Sequence, residues 1–513
     1  MERTEPIARS APGPTPRALT YLLPRVSDVL FGAIFAAVLM LGSRLLGDGD
    51  PGRHLTLGEY MLSNHRIPSV DVFSHTMSGQ PLTPHEWLSE ILFALSYRVG
   101  GMHGVVLLSA LLLALTVTEV FRQGCRRSGL ILAPMLLAAW AATAANVHWL
   151  ARPHLWTMLM IVLWSGHLER LRRGESRRWW PLPLLMLLWA NLHGAFIAGF
   201  VVWITYGVGY AWNRLSTPSD EEYPRGWLSR WAGAGGASLA ASLANPAGWH
   251  LWETSIGYLR NRYLVDGTVE YWSPNFHLTS TWPFLALLAC YLFALGMRWV
   301  RLRPTSVLLV TSWAAMSLYS SRNIPLWSLM TAPILAEGLS RAWPGRDSSA
   351  AAWMRIDNRV AAIDNGLRGH VWGASIVVLL AVLLAGGARI DRDQRGNDFD
   401  SREFPVEAVN WMTRNPVAGN GFNFFPWGGY LLFRLWPEQK VFIDGQTDFY
   451  GEPLTREYEK VIGVNEGWEA ILERYQVRWA LVPTRSLLAR TLARTGVWST
   501  AYEDATAALL VRH

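Results

Sequence analysis

Residues 47–95, GDGDPGRHLTLGEYMLSNHRIPSVDVFSHTMSGQPLTPHEWLSEILFAL, follow directly on the first long apolar run of the chain, 29–46. The stretch is polar and much longer than the short connectors that usually join neighbouring helices. It opens with two acids two residues apart, Asp48 and Asp50. Further candidate site residues in it are His54, Glu59, Asp71, His85 and Glu86. Ionisable side chains beside a membrane are costly, so we predict a functional site in this loop.

The composition favours a polytopic membrane protein. Of the 513 residues 51% are hydrophobic and 17% are charged, and 28 are tryptophan; soluble domains carry about 25% charged residues. The two cysteines, Cys125 and Cys290, indicate no disulfide framework. The net charge of +7 does not indicate a nucleic-acid partner, because the arginines lie in short connectors between apolar runs. A basic bias at such places sets membrane orientation.

Apolar runs of spanning or near-spanning length predict about eleven transmembrane helices, an odd number that puts the two termini on opposite sides of the membrane. The runs are 29–46, 104–120, 129–147, 154–168, 181–192, 195–212, 231–245, 281–297, 305–320, 325–340 and 371–388. Two of them, 181–192 and 231–245, are short. The amphipathic stretch 86–98 is predicted as an interfacial helix.

The arginines predict the orientation and the domain organisation. With a cytoplasmic N-terminus, nineteen arginines fall in the cytoplasmic connectors and seven in the outer ones. The domains are then a cytoplasmic leader (1–28), a transmembrane domain (29–388) with a long first outer loop (48–103), and a periplasmic or extracellular domain (389–513). Mixed helical and strand patterns predict that this last part is a small soluble α/β domain. Its predicted strands are 440–444, 477–482, 498–502 and 507–512.

The other outer connectors add polar residues on the same side of the membrane. They are Arg152, His154, His193, Glu270 and Arg322. Taken singly, most of the candidate residues have a structural explanation. Asp48 and Asp50 could be helix N-caps, the histidines could be bonded to backbone, and the arginines could be snorkelling anchors. Gathered on one face, they favour a water-filled cavity with a function.

Two parts of the sequence resemble a known family. The motif Asp48-Gly-Asp-Pro-Gly-Arg-His-Leu after the first membrane helix, followed by Glu59 and by Pro-Ser-Val-Asp71, resembles bacterial membrane proteins of the C-type glycosyltransferase (GT-C) superfamily. That group includes oligosaccharyltransferase catalytic subunits and polyprenyl-phosphate-sugar-dependent mannosyl- and arabinosyltransferases. The segments PWGGYLLFRLWP (426–437) and VFIDGQTD (441–448) resemble the C-terminal region of uncharacterised bacterial members. The tail lacks the Trp-Trp-Asp signature of oligosaccharyltransferases, so the resemblance does not imply that this protein recognises their Asn-x-Ser/Thr acceptor.

The resemblance implies a multi-pass protein of the bacterial inner membrane with a GT-C-like fold. The activity that it implies is inverting transfer of a sugar from a polyprenyl-phosphate-linked donor to a glycan, lipid or protein acceptor on the outer face. The family's acidic motif in the first outer loop matches Asp48 and Asp50, which we expect to act as catalytic base or as ligands of a divalent metal such as Mg or Mn. Arg152 and Arg322 are candidates for the donor phosphate.

The remaining acids and histidines named above are candidate substrate-binding residues. The expected partners are the lipid bilayer, the lipid-linked donor and the acceptor, with no nucleic acid and no cofactor besides a metal. Three alternatives stay open: a polymerase or ligase of lipid-linked glycans, a flippase or transporter of such a glycan, and a non-catalytic scaffold. A transporter predicts ionisable residues near the bilayer midplane and an inverted repeat.

Overall fold

A computed structural model describes residues 17–216, 223–300, 302–342, 348–369, 371–388 and 397–513. The protein is mostly helical, with 68% of residues in helices. Residues 1–16 of the predicted leader and the predicted domain boundary at 389 lie outside the described residues.

Each predicted apolar run coincides with a helix. In chain order the helices up to residue 388 are α1 (Arg17–Leu22), α2 (Val26–Leu39), α3 (Asp50–Asn64), α4 (Trp87–Ser128), α5 (Leu132–Ala145), α6 (His154–Arg172), α7 (Pro181–Leu192), α8 (Ile197–Ser216), α9 (Trp227–Ser242), α10 (His250–Arg260), α11 (Arg262–Gly267), α12 (Trp282–Gly296), α13 (Pro304–Tyr319), α14 (Ile324–Ala342), α15 (Ser348–Gly366) and α16 (Val371–Ala385). The helix α14 is buried from Ile324 to Gly338 and packs against α4 and α5. It therefore lies at the centre of the bundle.

Four of the described helical segments are long and apolar enough to cross a membrane. They are Thr20–Leu39, Trp87–Ser128, Gly194–Ser216 and Thr279–Gly296. A bent pair, Ala352–Gly366 with Val371–Ala385, makes a fifth if the two helices form one span. The number of about eleven spans stays a prediction, although helices form at all the predicted positions.

The first outer loop is largely helical. It contains α3 and the first half of α4, which is broken at Gly100 and Gly101, where the backbone leaves the helical region. Gly101 has φ of +59°, a conformation that glycine adopts without steric cost. The part of α4 before this break corresponds to the amphipathic stretch 86–98, and the part after it to the predicted span 104–120. The helices α3 and α4 pack closely at Gly58, where an added Cβ would lie 2.1 Å from the carbonyl oxygen of Glu90.

The C-terminal part of the chain combines helices with a four-stranded sheet. Its helices are α17 (Val406–Arg414), α18 (Gly428–Leu435), α19 (Thr447–Ile462), α20 (Trp468–Arg474) and α21 (Leu487–Leu492). Its strands are β1 (Asn420–Asn423), β2 (Val477–Pro483), β3 (Trp498–Glu503) and β4 (Ala507–Arg512). The strand order is β1-β2-β4-β3, with β1 parallel to β2 and the other two pairs antiparallel.

This C-terminal part packs directly against the first outer loop. The helix α18 lies along α3, so closely that an added Cβ at Gly52 would be 2.6 Å from the carbonyl oxygen of Gly429. The segment Lys440–Asp444, predicted as a strand, is buried from Val441 onward but is not part of the sheet. It makes a single parallel bridge, between Ser74 and Val441, to the first loop. The loop and the C-terminal part therefore share one interface, and the site described next lies along it.

Candidate active site

The helix α3 carries three of the site residues on consecutive turns. Asp50 is its first residue and Pro51 follows within the first turn, where a missing backbone N–H removes no intrahelical hydrogen bond. Arg53 and His54 come three and four residues later, so they lie on the same face as Asp50. The N-cap is Gly49, and no side chain caps this end of the helix. The interpretation of Asp48 and Asp50 as N-caps is therefore wrong, and their carboxylates point elsewhere.

Arg152 brings three carboxylates together. Its Nη1 lies 2.9 Å from Asp48 Oδ2 and 2.8 Å from Glu270 Oε1, and its Nη2 lies 2.9 Å from Asp50 Oδ2. These side chains are between 20% and 30% exposed, which means that the cluster opens to solvent on one side. Residues predicted from three separate connectors thus meet at one guanidinium.

Arg322 extends this group, which we call the Arg152 cluster. Its Nη1 lies 3.5 Å from Glu270 Oε2 and donates to the Tyr271 hydroxyl at 3.1 Å. Its guanidinium also lies 5.1 Å from the centre of the Tyr271 ring, within the range of a cation–π contact. The Arg152 cluster then holds three carboxylates and two guanidiniums, so its net charge is −1 when all five groups are ionised. Its two arginines can contact a phosphate.

The partly buried setting of the Arg152 cluster shifts the pKa values of two of its acids. Burial, opposed by Arg152 and reinforced by Asp50 and Glu270, raises the pKa of Asp48 to about 6. Burial also disfavours the charged form of Glu270, but Arg152 and Arg322 outweigh that effect and hold its pKa well below the usual range. Glu270 is therefore the permanent anion of the cluster, while Asp48 titrates close to neutral pH.

Two histidines flank Arg152. His154, the first residue of α6, donates from Nε2 to the carbonyl oxygen of His148 at 2.6 Å. Burial, more than the charges around it, lowers the pKa of His148 to about 4, so that this ring is neutral at physiological pH. His154 is thus beside the cluster, bonded to backbone.

A second group, which we call the His54 cluster, lies further along α3. His54 Nδ1 is 3.2 Å from Glu90 Oε1 and 3.7 Å from Glu86 Oε2. His193 Nε2 is 3.3 Å from Glu86 Oε1, and His85 Nε2 is 3.8 Å from Glu86 Oε2. The side chains of His54, Glu90 and His193 are each less than 8% exposed. The predicted site residues His54, His85, Glu86 and His193 therefore form one cluster.

The C-terminal part holds α3 in place from the other side. Asp444 Oδ1 lies 3.2 Å from Arg53 Nε, and the Arg53 guanidinium also donates to Gln446. Tyr450 donates to Asp444 Oδ2 at 3.0 Å. An added Cβ at Gly445 would lie 1.9 Å from Asp50 Oδ1, so the backbone touches the carboxylate there. This segment is part of the wall of the site.

Two predicted substrate-binding residues lie outside both clusters. Glu59 is half exposed and pairs with Arg98 at 2.7 Å, on a different face of α3 from Asp50. Asp71 is buried, but its carboxylate accepts from the backbone N–H groups of Phe73 and Ser74 and from the Ser74 hydroxyl. Asp71 therefore orders its own loop, and neither acid has a free oxygen directed at the site.

Several residues of the site were not predicted. They are Arg53, Glu90, Tyr271, Asp444 and Asp448. For two of them helical spacing was an available signal, since Arg53 follows Asp50 by three residues and Glu90 follows Glu86 by four.

The predicted metal site at Asp48 and Asp50 does not fit the geometry well. The Arg152 guanidinium is 2.9 Å from each carboxylate, so it occupies the position between them that a divalent cation would need. Asp48 Oδ1 is buried without a hydrogen-bond partner, but a single free oxygen is not a ligand set. Among the described residues, one group has His and carboxylate atoms close enough to share an ion: His54, Glu86 and Glu90.

Comparison with known proteins shows the fold. No protein-family model and no curated protein matches the sequence. Among solved structures, the chain is similar to the oligosaccharyltransferase AglB from Archaeoglobus fulgidus in complex with an inhibitory peptide and a dolichol-phosphate. The TM-score is 0.55 at 11% identity, over 89% of this chain and 69% of that one. The apo form of the Archaeoglobus fulgidus oligosaccharyltransferase gives 0.58 at 12% identity with the same coverage.

The mycobacterial arabinofuranosyltransferase AftD is a further match. It aligns with a TM-score of 0.51 at 13% identity, over 96% of this chain but only 40% of the larger AftD chain. These proteins are GT-C glycosyltransferases, so the GT-C-like fold that the resemblance implied is confirmed.

Proposed function

We propose that the protein is an inverting membrane glycosyltransferase. It transfers a sugar from a polyprenyl-phosphate-linked donor to a glycan, lipid or protein acceptor at the outer face of a bacterial inner membrane. The observation that carries the proposal is Arg152, held between Asp48, Asp50 and Glu270 where apolar helices meet the polar loops. The fold supports it, because the similar AglB structure contains dolichol-phosphate, the carrier lipid of such a donor.

Asp50 is the candidate catalytic base. In the proposed reaction the acceptor oxygen or nitrogen forms a bond to the anomeric carbon of the sugar while the bond from that carbon to the donor phosphate breaks. The acceptor proton passes to Asp50, and the polyprenyl phosphate leaves with the bonding electrons. One displacement of this kind inverts the anomeric centre. A carboxylate within reach of the acceptor proton contributes about 10²–10⁴-fold to such a rate.

Arg152 and Arg322 are the candidate phosphate-binding residues. Both guanidiniums are permanently charged and both are partly exposed. Donors fixed where charge develops stabilise a departing phosphate without further reorganisation. Glu270 lies between them and holds both in position through its two oxygens, 2.8 and 3.5 Å away. Asp48 then orients Arg152 toward Asp50, so the acid pair has one base and one positioning residue.

The first experiment measures the release of polyprenyl phosphate by purified full-length protein from a panel of short polyprenyl-phosphate sugars. An extract of bacterial membranes supplies the acceptor, so the acceptor need not be identified beforehand. We expect Asp50→Asn to lower the release about 10²–10⁴-fold. A matched control, Glu253→Gln, alters an exposed outer acid that pairs with His250 away from both clusters, and it should retain the activity.

Unchanged release by a folded Asp50→Asn variant would contradict the role of Asp50. A longer lipid-linked glycan as the product would favour the polymerase or ligase alternative. A wild-type protein that releases no polyprenyl phosphate but moves a fluorescent lipid-linked glycan across vesicle membranes would be a flippase, and the transferase proposal would fail.

A further inference from the structure

The His54 cluster contains more carboxylates than its cations balance. Four buried or largely buried acids line it: Glu86, Glu90, Asp444 and Asp448. In the described part of the chain, these acids form ion pairs with one guanidinium, that of Arg53. Their other ion-pair partners are histidine rings. Four carboxylates thus share a single guanidinium, that of Arg53. A bound cation would reduce the repulsion among them.

One nitrogen faces two of these carboxylates. His54 Nδ1 is 3.2 Å from Glu90 Oε1 and 3.7 Å from Glu86 Oε2, but it can carry only one hydrogen. A hydrogen bond therefore satisfies at most one of the two contacts well. Two donors at ~2.0–2.1 Å from an ion in tetrahedral geometry lie ~3.3 Å apart. The pair at 3.2 Å matches this separation, and the ligand atoms of His54, Glu86 and Glu90 all lie within 4.8 Å of one another.

His193 orients one of the acids. The backbone N–H of Ala195 donates to His193 Nδ1 at 3.3 Å, and the Thr157 hydroxyl lies 2.8 Å from the same atom. Trp189 Nε1 donates to that hydroxyl at 2.8 Å, which leaves the hydroxyl hydrogen for His193. With Nδ1 as acceptor, the ring proton is on Nε2 and is directed at Glu86 Oε1. The other oxygen of Glu86 is then free to face His54, an outer-shell arrangement common around bound metals.

We propose that His54 Nδ1, Glu86 Oε2 and Glu90 Oε1 bind one divalent transition-metal ion. Three protein ligands of mixed nitrogen and oxygen type suit Zn²⁺ or Mn²⁺ and leave a position for water or substrate. The proposed site is more buried than the Arg152 cluster and lies on the same face of α3, one turn after Asp50. It differs from the metal site predicted at Asp48 and Asp50, where the Arg152 guanidinium lies against both carboxylates. Metal binding here does not require that the protein transfers a sugar.

The test measures metal content and coordination, not turnover. Full-length protein is stripped with a chelator, titrated with Co²⁺ and followed by visible absorption, and then loaded with Zn²⁺ for elemental analysis and X-ray absorption. We expect about one ion per chain and a shell of oxygen atoms with one imidazole nitrogen at ~2.0–2.1 Å. Glu86→Gln and Glu90→Gln should each weaken Co²⁺ binding at least tenfold.

Controls separate this site from the Asp pair and from simple misfolding. Asp50→Asn should keep the Co²⁺ spectrum and the stoichiometry, and Glu253→Gln should do the same. If the glutamine variants fail to fold, the absorption spectrum of the wild-type protein alone decides the outcome. No bound ion at saturating Co²⁺, a shell without imidazole, or binding lost in Asp50→Asn but kept in Glu86→Gln and Glu90→Gln would overturn the proposal.

Discussion

At the scale of single residues, Asp48 is the group whose ionisation should be visible in solution. Its pKa, raised to about 6 chiefly by burial, lies above the usual 3.8 of an aspartic acid. The charged carboxylate holds Arg152, and protonation weakens that ion pair. We therefore expect kcat/KM for donor turnover to fall as the pH decreases through about 6. Asp48→Asn should show a lower rate without this acidic limb, measured as pH–rate profiles of both proteins.

Stability should show the opposite pH dependence at this residue. The folded protein binds the Asp48 proton more tightly than the unfolded chain does, so the contribution of Asp48 favours folding at low pH. That contribution is lost as the pH rises from about 4 to about 6. If the acidic limb of the pH–rate profile persists unchanged in Asp48→Asn, a group other than Asp48 causes it.

At the scale of secondary-structure elements, the contact between α3 and α18 determines where Asp50 lies. Their backbones meet at Gly52 and Gly429, and an added Cβ at Gly52 would also lie 3.0 Å from Phe433 Cβ. We expect Gly52→Ala to separate the helices and cost about 1–3 kcal/mol, the usual range for overpacking. Thermal unfolding in detergent, with donor turnover measured on the same preparation, should show both quantities reduced.

The matched control is Gly236→Ala in α9, where an added Cβ meets nothing within 4 Å. There alanine only improves helix propensity, so the unfolding midpoint should stay the same or rise. Equal midpoints for Gly52→Ala and Gly236→Ala would mean that α3 and α18 can move apart without cost.

Much of the helical architecture could be predicted from the sequence, because apolar runs of membrane length have a strong local signal. The segment 440–444 shows where a local signal fails. Its run of apolar residues resembles a buried strand, but the Asn423 side chain takes the place of a partner strand. It accepts from Phe442 N at 2.8 Å and donates to the Ile443 carbonyl at 2.8 Å. A hydrogen-bonding side chain nearly twenty residues away in the chain leaves no pattern in the local sequence that could predict it.

The site itself could be predicted in part. The acids and histidines of the outer connectors were expected on one side, and most of them meet in the two clusters. The contact between Arg53 and Asp444 joins the first loop to the C-terminal part, and no local spacing connects such distant residues. Glu59 was included because it is an acid in the first loop, but the register of α3 directs it to Arg98. Which face a helical residue occupies depends on packing partners that the sequence does not name.

At the scale of the whole molecule, the two clusters and the arginine-rich connector after α6 lie at opposite ends of the bundle. The helix α6 starts at His154, beside Arg152, and ends at Arg172; its 19 residues at ~1.5 Å each span ~28 Å. A bilayer has a hydrocarbon core of about 30 Å. The helix α6 is not among the four segments apolar enough to span by composition, but it contains the predicted span 154–168 and its length fits one crossing. We therefore expect the clusters on one side of the membrane and the connector 173–180 on the other. Because arginine-rich connectors favour the cytoplasm, we expect the clusters on the outer side of the membrane.

This topology predicts the labelling of two engineered cysteines on opposite sides of the membrane. In a background with Cys125→Ser and Cys290→Ser, we would compare Arg177→Cys, exposed after α6, with Glu469→Cys, exposed on α20 in the C-terminal part. A membrane-impermeant maleimide on spheroplasts of expressing bacteria should modify Glu469→Cys at once. Arg177→Cys should react only after the membrane is permeabilised. Because α18 packs against α3, Glu469→Cys reports the side of the Arg152 cluster as well. Labelling of Arg177→Cys in intact spheroplasts would place the clusters in the cytoplasm, where a donor presented at the outer face could not reach them.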